Sequence, residues 1–289
     1  MHQISPDRAV IFSVDVITPL VDDPKLYGAI SAANALSDIY AMGGEGMMSL
    51  SVLGAPGDFP VDVLTEILRG AAETALAAGA PILGGHSIES KDLLFGLAVV
   101  GTAHPDQLFR NDGLRPGDQL VLTQALGTGT LTTALKRDHL TEAELQPAFD
   151  AMARLNAAAV EPLRRHGVRA ATDITGFGLL GHAAEMAKGS GVQVVFDQAL
   201  VPELPRAREM MAAGVVTRGN GRNRAYVEDL GPLEGDPEPL VLDPQTSGGL
   251  LAAVSPEALP AVLDELRSCG YPEAARVGEI REGRGIHVR

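Results

Sequence analysis

The sequence predicts an α+β protein made of two domains, and three observations support this prediction. The chain has 289 residues, which is more than one typical hydrophobic core organises. Strand-like apolar segments and amphipathic helical segments alternate irregularly, which favours an α+β sheet covered on one face over a regular βαβ array. The chain contains 33 glycines and only 4% aromatic residues, so we expect close approaches between backbone segments.

The first predicted domain covers residues 1–105. Its apolar segment 9–15 is rich in β-formers and predicts a strand that ends at Asp15. Asp23 followed by Pro24 is typical of a helix start, and Gly43 and Gly44 are typical of its end. The other elements predicted here are strands at 46–53 and 94–101, a helix at 60–78, and a short strand at 81–83 that runs into a glycine turn at 84–87.

The second predicted domain covers residues 117–289 and follows a linker at 106–116. Residues 142–166 predict one long helix that breaks near Pro162. The only locally basic stretch, 216–226, predicts a polar surface loop, and an arginine lid over phosphates is the alternative interpretation. The remaining elements are strands at 118–123, 167–172 and 193–197, a strand after the glycines at 248–249, and a helix at 257–268.

The charge balance and the cysteine count limit the classes of function. With 23 basic and 37 acidic residues the net charge is −14, which argues against a nucleic-acid partner or an anionic membrane surface. No apolar run is long enough to span a bilayer, and residues 1–6 have no signal-peptide pattern. The single cysteine, Cys269, excludes an internal disulfide and predicts a reducing, cytoplasmic location. We interpret Cys269, which follows the last long helix, as structural.

The stretch 170–182 is the most informative segment for function. It reads AATDITGFGLLGH, so Thr172, Asp173 and Thr175 lead into glycines and then into an apolar helical face. A strand, turn and helix in this order offer backbone N–H groups to an anion, and Asp173 beside them is able to hold a divalent metal on that anion. The alternative is that Asp173 caps the helix and that the glycines serve packing alone.

Two further aspartates have comparable surroundings. Asp15 stands at a predicted strand end, and Asp38 follows Asn34 by four residues on one face of a slim, alanine-rich helix. A solvent-facing polar stripe is the alternative for the helix pair. Mg²⁺ bound to phosphates is normally held by a few carboxylates, so Asp15, Asp38 and Asp173 predict a metal and nucleotide site. The P-loop, the GxGxxG fingerprint and the kinase motifs are absent, and the histidines at 86, 166 and 182 lack metal-ligand spacing.

Five blocks together resemble the selenophosphate synthetase (selenide, water dikinase) family. The blocks are VDVITPLVDDP at 14–24, ANALSDIYAMGG at 33–44, GGHSIE at 84–89, ATDITGFGLLGH at 171–182 and DPQTSGGLL at 243–251. The resemblance runs from about residue 9 to the end of the chain, in the family's order. It implies the fold of the aminoimidazole ribonucleotide synthetase superfamily, in which an N-terminal half-barrel sheet with helices pairs with its twin to complete a β-barrel, beside a C-terminal α+β sandwich.

The resemblance also implies a reaction and its site. The family converts ATP, selenide and water into selenophosphate, AMP and orthophosphate with Mg²⁺ on the phosphates, and its members are homodimers. Carried over by position, Asp15, Asp38 and Asp173 are the metal ligands. The residues implied to lie along the nucleotide are Asp15, Asn34, Asp38, Gly84, Gly85, His86, Ser87, Thr172 and Gly176.

One part of the family pattern has no counterpart in this sequence. Family members carry a glycine-rich segment with a reactive Cys or selenocysteine, a nearby Lys and a further metal-binding Asp ahead of the first matching strand. We identify no catalytic nucleophile in this chain, and therefore expect little or no selenide-dependent turnover from it. The alternatives are a non-catalytic dimer partner that binds Mg²⁺ and a nucleotide, and another ATP-dependent enzyme of the same superfamily.

Overall fold

The computed structural model describes residues 1–289, and its contacts divide the chain into two compact units. Unit 1 contains Met1–Leu108 together with Met152–Ala157, and unit 2 contains Phe109–Ala151 together with Ala158–Arg289. Each unit has its own sheet and its own helices, so the prediction of an α+β protein with two domains is confirmed. The boundary after Leu108 falls inside the predicted linker 106–116.

Unit 1 is a five-stranded half-barrel sheet with two long helices. In chain order its elements are β1 (His2–Ser5), β2 (Arg8–Ile17), α1 (Pro24–Ala41), β3 (Glu45–Ala55), α2 (Val61–Ala77), β4 (Ile82–Glu89) and β5 (Leu94–Ala103). The strand order is β1-β2-β5-β3-β4, and only the β3–β4 pair is parallel. Because β5 lies between β2 and β3, the residues at the end of β2 are separated from β4 by two strands.

Glycines let the two helices of unit 1 pack backbone to backbone. A Cβ on Gly28 of α1 would stand 1.9 Å from the carbonyl oxygen of Ile67 in α2, and a Cβ on Gly70 would stand 1.9 Å from that of Lys25. No side chain fits at either position, so the crossing requires glycine on both helices. The helices cover one face of the sheet, where Ile30, Leu36, Ile67 and Leu97 are fully buried.

The opposite face of this sheet carries large apolar side chains that are exposed. Phe12 pairs with Val100, and Val100 pairs with Met48; Val14 pairs with Ala98, and Ala98 pairs with Leu50. Residues directly opposite each other on neighbouring strands share a face. The exposed fractions are 66% for Phe12, 67% for Val14 and 50% for Leu50, so this row of side chains has no covering layer in the chain.

Unit 2 is built on a seven-stranded mixed sheet with the order β7-β10-β6-β11-β8-β12-β9. Its strands are β6 (Gln119–Leu122), β7 (Ala170–Asp173), β8 (Gln193–Phe196), β9 (Leu233–Glu234), β10 (Leu250–Val254), β11 (Ala275–Arg281) and β12 (Gly285–Val288). Its helices are α3 (Thr128–Lys136), α4 (Glu142–Ala153), α5 (Ala157–Arg165), α6 (Gly178–Ser190), α7 (Ala207–Ala212), α8 (Arg218–Leu230), α9 (Pro239–Leu242) and α10 (Leu259–Ser268). No helix in the structure has both the length and the apolar character that a bilayer crossing requires.

The structure corrects three secondary-structure predictions. The stretch 142–166 forms two helices that separate at 154–156, whereas Pro162 lies inside α5; Asn156 in the gap donates a buried hydrogen bond of 3.1 Å to Ser37 Oγ within unit 1. The predicted polar loop 216–226 is the helix α8, whose N-cap Thr217 accepts from Asn220 N. Residues 84–87 are not a turn, because all four lie inside β4.

The glycine crossing of α1 and α2 gives a direct test of the packing. We expect Gly28→Ala to lower the free energy of unfolding by about 3 kcal/mol, because the added Cβ pushes the two helix backbones apart. Urea denaturation followed by circular dichroism measures the change. The matched control is Gly221→Ala in α8, where a Cβ meets nothing within 4 Å; this change should be neutral or stabilise by roughly 0.5–1 kcal/mol. Equal stability of the two variants would contradict the close crossing.

Candidate functional site

In unit 1 the structure brings together Asp15, Asn34 and Asp38 and adds Ser13 to them. Asn34 Nδ2 donates to Asp15 Oδ2 at 2.5 Å, and Ser13 Oγ donates to Asp38 Oδ2. Each bond therefore joins β2 to α1. Asn34 is 5% exposed, so the alternative of a solvent-facing stripe is wrong for this residue, whereas Asp38 is exposed. Ser13 was missed by the sequence analysis, although its spacing of two residues from Asp15 puts both on one face of the strand.

Local chemistry at the start of α1 fixes this arrangement. Asp23 Oδ1 accepts from the backbone N–H groups of Lys25 (2.8 Å) and Leu26 (3.2 Å), which is the predicted helix cap. Tyr27 then donates its hydroxyl hydrogen to the carbonyl oxygen of Ile17 at 2.6 Å and packs edge-on against Phe95. These contacts tie the first turn of α1 to the end of β2 and so set which side chains of the helix face the strand.

The electrostatics of the cluster favour a cation. Asp15 is half-buried, and this burial, together with the negative charge of Asp38, raises its pKa above the ordinary value. Asn34 opposes the shift by donating to the carboxylate. Two carboxylates that repel each other in a partly desolvated place are stabilised by a positive ion between or beside them.

The donor set fits a hard divalent cation such as Mg²⁺. The carboxylate oxygens of Asp15 and Asp38 are the oxygen donors that Mg²⁺ prefers. The structure contains no group of three or more His, Cys, Asp or Glu side chains arranged around one metal position. A site with two protein carboxylates leaves most of the coordination shell for water and phosphate oxygens, which is how Mg²⁺ is usually bound with nucleotides.

The predicted nucleotide contacts at Gly84, Gly85, His86 and Ser87 lie elsewhere on the same sheet. They belong to the edge strand β4 and are exposed, and three strand spacings, roughly 14 Å, separate β4 from Asp15 on β2. Gly85 pairs with Ser51 of β3, and a Cβ there would stand 2.1 Å from Ser51 Oγ. Glycine is thus required by strand packing at this position.

In unit 2 the informative stretch 170–182 forms strand, turn and helix as predicted. Thr172 and Asp173 end β7, and Gly178 N donates to Thr175 O at 2.9 Å to close a turn before α6. The N-cap residue of α6 is Phe177, and its side chain makes no capping hydrogen bond. Asp173 is therefore not the N-cap residue of this helix, which leaves the helix start without the usual side-chain cap. Gly176 is exposed at this turn and nothing lies within 4 Å of its Cβ direction.

Side chains from two helices hold this turn in place. Asn223 of α8 donates to the carbonyl oxygens of Gly176 (3.0 Å) and Leu242 (2.9 Å), and the Nε2 atom of His182 in α6 accepts from Thr175 N at 3.1 Å. The Phe177 ring stacks on Tyr226 with 4.6 Å between centroids. Asn223 and Tyr226 were missed because their segment was interpreted as a loop. His182, one of the histidines without metal-ligand spacing, thus binds the backbone of the turn.

The block DPQTSGG also has a structural role that its sequence did not reveal. Asp243 is fully buried and accepts from Thr130 N at 3.2 Å and from Thr130 Oγ1 at 2.8 Å. Gln245 Oε1 accepts from Gly127 N and Thr128 N at 3.0 and 3.1 Å. These two side chains occupy the N-terminus of α3, while Gln245 N donates to Thr175 O at 3.0 Å. The segment 243–249 therefore connects α3 to the turn before α6.

Cys269 has the surroundings of a structural thiol. Its Sγ donates to the carbonyl oxygens of Ala158 and Leu266, both at 3.3 Å. Burial raises its pKa above the ordinary value, which lowers the fraction of reactive thiolate. The environment of Cys269 is therefore unlike that of a nucleophile.

Comparison with protein families places both parts of the chain in one superfamily. Residues 1–103 match the model of the AIR synthase related protein, N-terminal domain, and residues 115–289 match that of its C-terminal domain. Among curated proteins, a selenide, water dikinase from Dechloromonas aromatica (strain RCB) is 40% identical over 294 aligned positions, covering 100% of this chain and 84% of that protein. One from Caldanaerobacter subterraneus subsp. tengcongensis is 41% identical and is covered to 85%.

Solved structures share the fold at lower identity. A thiamine-monophosphate kinase from Stenotrophomonas maltophilia K279a matches with a TM-score of 0.77 at 20% identity, over 98% of this chain and 85% of that one. The hydrogenase maturation protein HypE in complex with ATP matches with a TM-score of 0.78 at 19% identity, over 97% and 81%. These likenesses show the fold and agree with the half-barrel arrangement of unit 1.

The buried carboxyl of Asp243 predicts a pH dependence of stability. Desolvation raises its pKa from 3.8 to about 6, so the folded state favours the protonated form. The stabilisation by the protonated Asp243 carboxyl is fully present below the pKa of 3.8 that this group has in the unfolded state. It is lost as the pH rises from there through the folded-state pKa of about 6. We expect this loss, roughly 3 kcal/mol across the window, to be absent in Asp243→Asn, which cannot titrate.

Urea denaturation at several pH values between about 4 and 8 measures this difference. Asp58→Asn is the matched control, because Asp58 is exposed in unit 1 and its replacement should leave the wild-type slope intact. If Asp243→Asn and the wild type lose stability in parallel as the pH rises, Asp243 is not the titrating group.

Proposed function

The chain belongs to the selenide, water dikinase family, and we propose that it takes part in making selenophosphate from ATP, selenide and water, with AMP and orthophosphate as the other products. Sequence identity near 40% over the full chain to proteins of that name supports the proposal. The observation in the chain itself that carries it is the pair of neighbouring carboxylates between β2 and α1, with Asp15 bound by Asn34 and Asp38 bound by Ser13.

In this proposal Asp15 and Asp38 of unit 1 are Mg²⁺ ligands, and Asp173 of unit 2 is a Mg²⁺ ligand as well. The metal supplies positive charge that neutralises the ATP phosphates. Asn34 donates to Asp15 and so keeps one carboxylate oxygen oriented while the others remain available as ligands. The raised pKa of Asp15 implies that metal binding competes with a proton at this carboxyl, so affinity for the metal rises with pH.

The nucleotide contacts follow from the same proposal. The start of α6, where Phe177 provides no side-chain cap, and the exposed Gly176 before it suit a phosphate group, and Thr172 would contribute from the end of β7. The segment Gly84–Ser87 is on an edge strand, and an edge strand has backbone N–H and C=O groups on one side without a strand partner. These groups and the His86 ring are the means by which this segment would contact the nucleotide.

Removal of one carboxylate tests the site. We expect Asp38→Asn to weaken the binding of Mg-ATP roughly tenfold or more, because one of the charged ligands is replaced by a neutral amide of the same shape. Isothermal titration calorimetry with and without Mg²⁺ measures the effect. Asp58→Asn, which removes an exposed carboxylate of the same unit, should bind like the wild type. Equal affinities of Asp38→Asn and wild type in folded protein would overturn the assignment of the site.

The reaction itself is tested separately. Selenide-dependent formation of AMP, followed by ³¹P NMR together with the selenophosphate signal, distinguishes a complete enzyme from a protein that only binds the nucleotide. Mg-ATP affinity without turnover would favour the non-catalytic dimer partner. Turnover of ATP with an acceptor that contains no selenium would favour another activity of the superfamily.

We also propose that unit 1 forms a homodimer through the exposed face of its sheet. The row that includes Phe12, Val14 and Leu50 is apolar, contiguous across three strands and half to two-thirds exposed. Exposed apolar patches of this kind mark interaction surfaces. A second copy offers the same self-complementary row, as a two-fold interface requires.

Two paired substitutions test the dimer. Phe12→Glu combined with Leu50→Glu should give a monomer, because each copy would bury two unpaired carboxylates at the interface. Size-exclusion chromatography with light scattering measures the mass, and the wild type should have twice the chain mass. Val61→Glu combined with Leu76→Glu is the control, since these α2 side chains are 75% and 69% exposed away from the sheet. A wild-type monomer, or a dimer that survives the first pair, would contradict the proposed interface.

A further inference from the structure

A cavity of about 440 Å³ lies in unit 2, where α6 and α8 end beside the start of β12. Its volume is in the range of small-molecule sites, roughly 300–1,000 Å³. The apolar part of its lining comes from Ala184, Ala187, Val227, Leu230 and Ile286. The cavity is thus an apolar recess formed by three elements of one unit.

Two cations also line this cavity, Lys188 in the last turn of α6 and Arg284 just before β12. Neither side chain makes an ion pair, whereas Arg276 and Arg289 nearby in sequence share Asp197. The apolar recess therefore has two positive charges at its edge that no carboxylate of the chain neutralises by an ion pair. Lys188 also offsets the dipole of α6, but Arg284 lies outside any helix.

The position of Arg284 is fixed by the backbone. Gly285 has a φ of +81°, and a Cβ there would stand 2.2 Å from the carbonyl oxygen of Pro232. Only glycine allows the chain to come this close to Pro232. The fixed position of Gly285 keeps the preceding residue, Arg284, at the edge of the cavity. The cavity is at the C-terminal end of α6, and the turn before α6 is at the other end, roughly 20 Å away along a helix of 13 residues. The two sites are therefore separate.

We propose that this cavity binds a small amphipathic anion, namely an aromatic or aliphatic body that carries one carboxylate or sulfonate group. The apolar lining would remove the body of the ligand from water, and Lys188 and Arg284 would bind the anionic group at the rim. A neutral apolar ligand would leave both cations unused, and a free phosphate would leave the apolar lining unfilled. The amphipathic anion is the class that uses both features of the lining.

The test uses 8-anilinonaphthalene-1-sulfonate, a fluorescent anion of this class, and its uncharged analogue N-phenyl-1-naphthylamine. We expect Lys188→Ala combined with Arg284→Ala to bind the anion roughly tenfold more weakly or worse, since two charge-assisted contacts are lost. The neutral analogue should bind the double variant and the wild type alike. Lys136→Ala combined with Arg137→Ala removes two exposed cations of α3 and its C-cap, and should bind both probes like the wild type.

NMR chemical shifts place the bound probe independently of affinity. The backbone amides of Gly191, Gly231 and Gly285 line the cavity and should move when the anion is added to ¹⁵N-labelled protein. Shifts confined to unit 1, where the exposed sheet face is apolar, would overturn the proposal. So would equal anion affinity in the two double variants, or displacement of the probe by Mg-ATP, which would assign the binding to the nucleotide site.

Discussion

Close backbone approach is the constraint on which both units depend. In unit 1, Gly28 and Gly70 let α1 cross α2 with no side chain between the helices, and α1 carries Asn34 and Asp38 to the strand that holds Asp15. In unit 2, a Cβ on Gly248 would stand 2.3 Å from the carbonyl oxygen of Ile174, and one on Gly178 would stand 2.9 Å from that of Leu242. Four of the 33 glycines thus lie at close contacts of the elements that carry candidate site residues.

The parts of the fold that the sequence predicted well are those where a local signal suffices. Asp23 and Pro24 fix the start of α1 by hydrogen bonds within the first turn, and no distant contact can easily override them. The sequence indicated that Asn34 and Asp15 belong to one site, because the helix spacing puts Asn34 on a slim face of α1 and Asp15 stands at the end of a strand. The exact partners in this site, including Ser13, required the tertiary arrangement.

The parts that the sequence predicted poorly depend on distant contacts. Glycines at 84 and 85 favour a turn locally, yet Gly85 is needed because β3 approaches it too closely for a Cβ. The basic stretch 216–226 has weak helix formers, but Thr217 caps it and Asn220 and Asn223 anchor it through the carbonyl oxygens of Pro239, Gly176 and Leu242. Packing against the rest of unit 2 overrides the local preference in such cases.

A glycine turn precedes both α3 and α6, but the two helix starts differ in their side-chain contacts. Each turn precedes a helix whose first N–H groups lack partners within the helix. At α3, Gln245 and Asp243 accept from Gly127, Thr128 and Thr130, so that helix start is already occupied by the protein. At α6 the N-cap residue Phe177 makes no such hydrogen bond. The same segment, 243–249, supplies the acceptors at the start of α3 and also donates to the turn before α6 through Gln245 N.

The hydrogen bonds of Asp243 explain why a buried carboxylate stands at the start of α3. Its oxygens accept from Thr130 N, Thr130 Oγ1 and Gln245 Nε2, and an asparagine would turn an amide N–H₂ toward at least one of these donors. Burial makes the charge costly, as the raised pKa shows, but the donors would be left unsatisfied without an acceptor at this position. The cost of burying the Asp243 carboxyl is thus offset by a fixed start of α3, and Gln245 N ties the turn before α6 to the same segment.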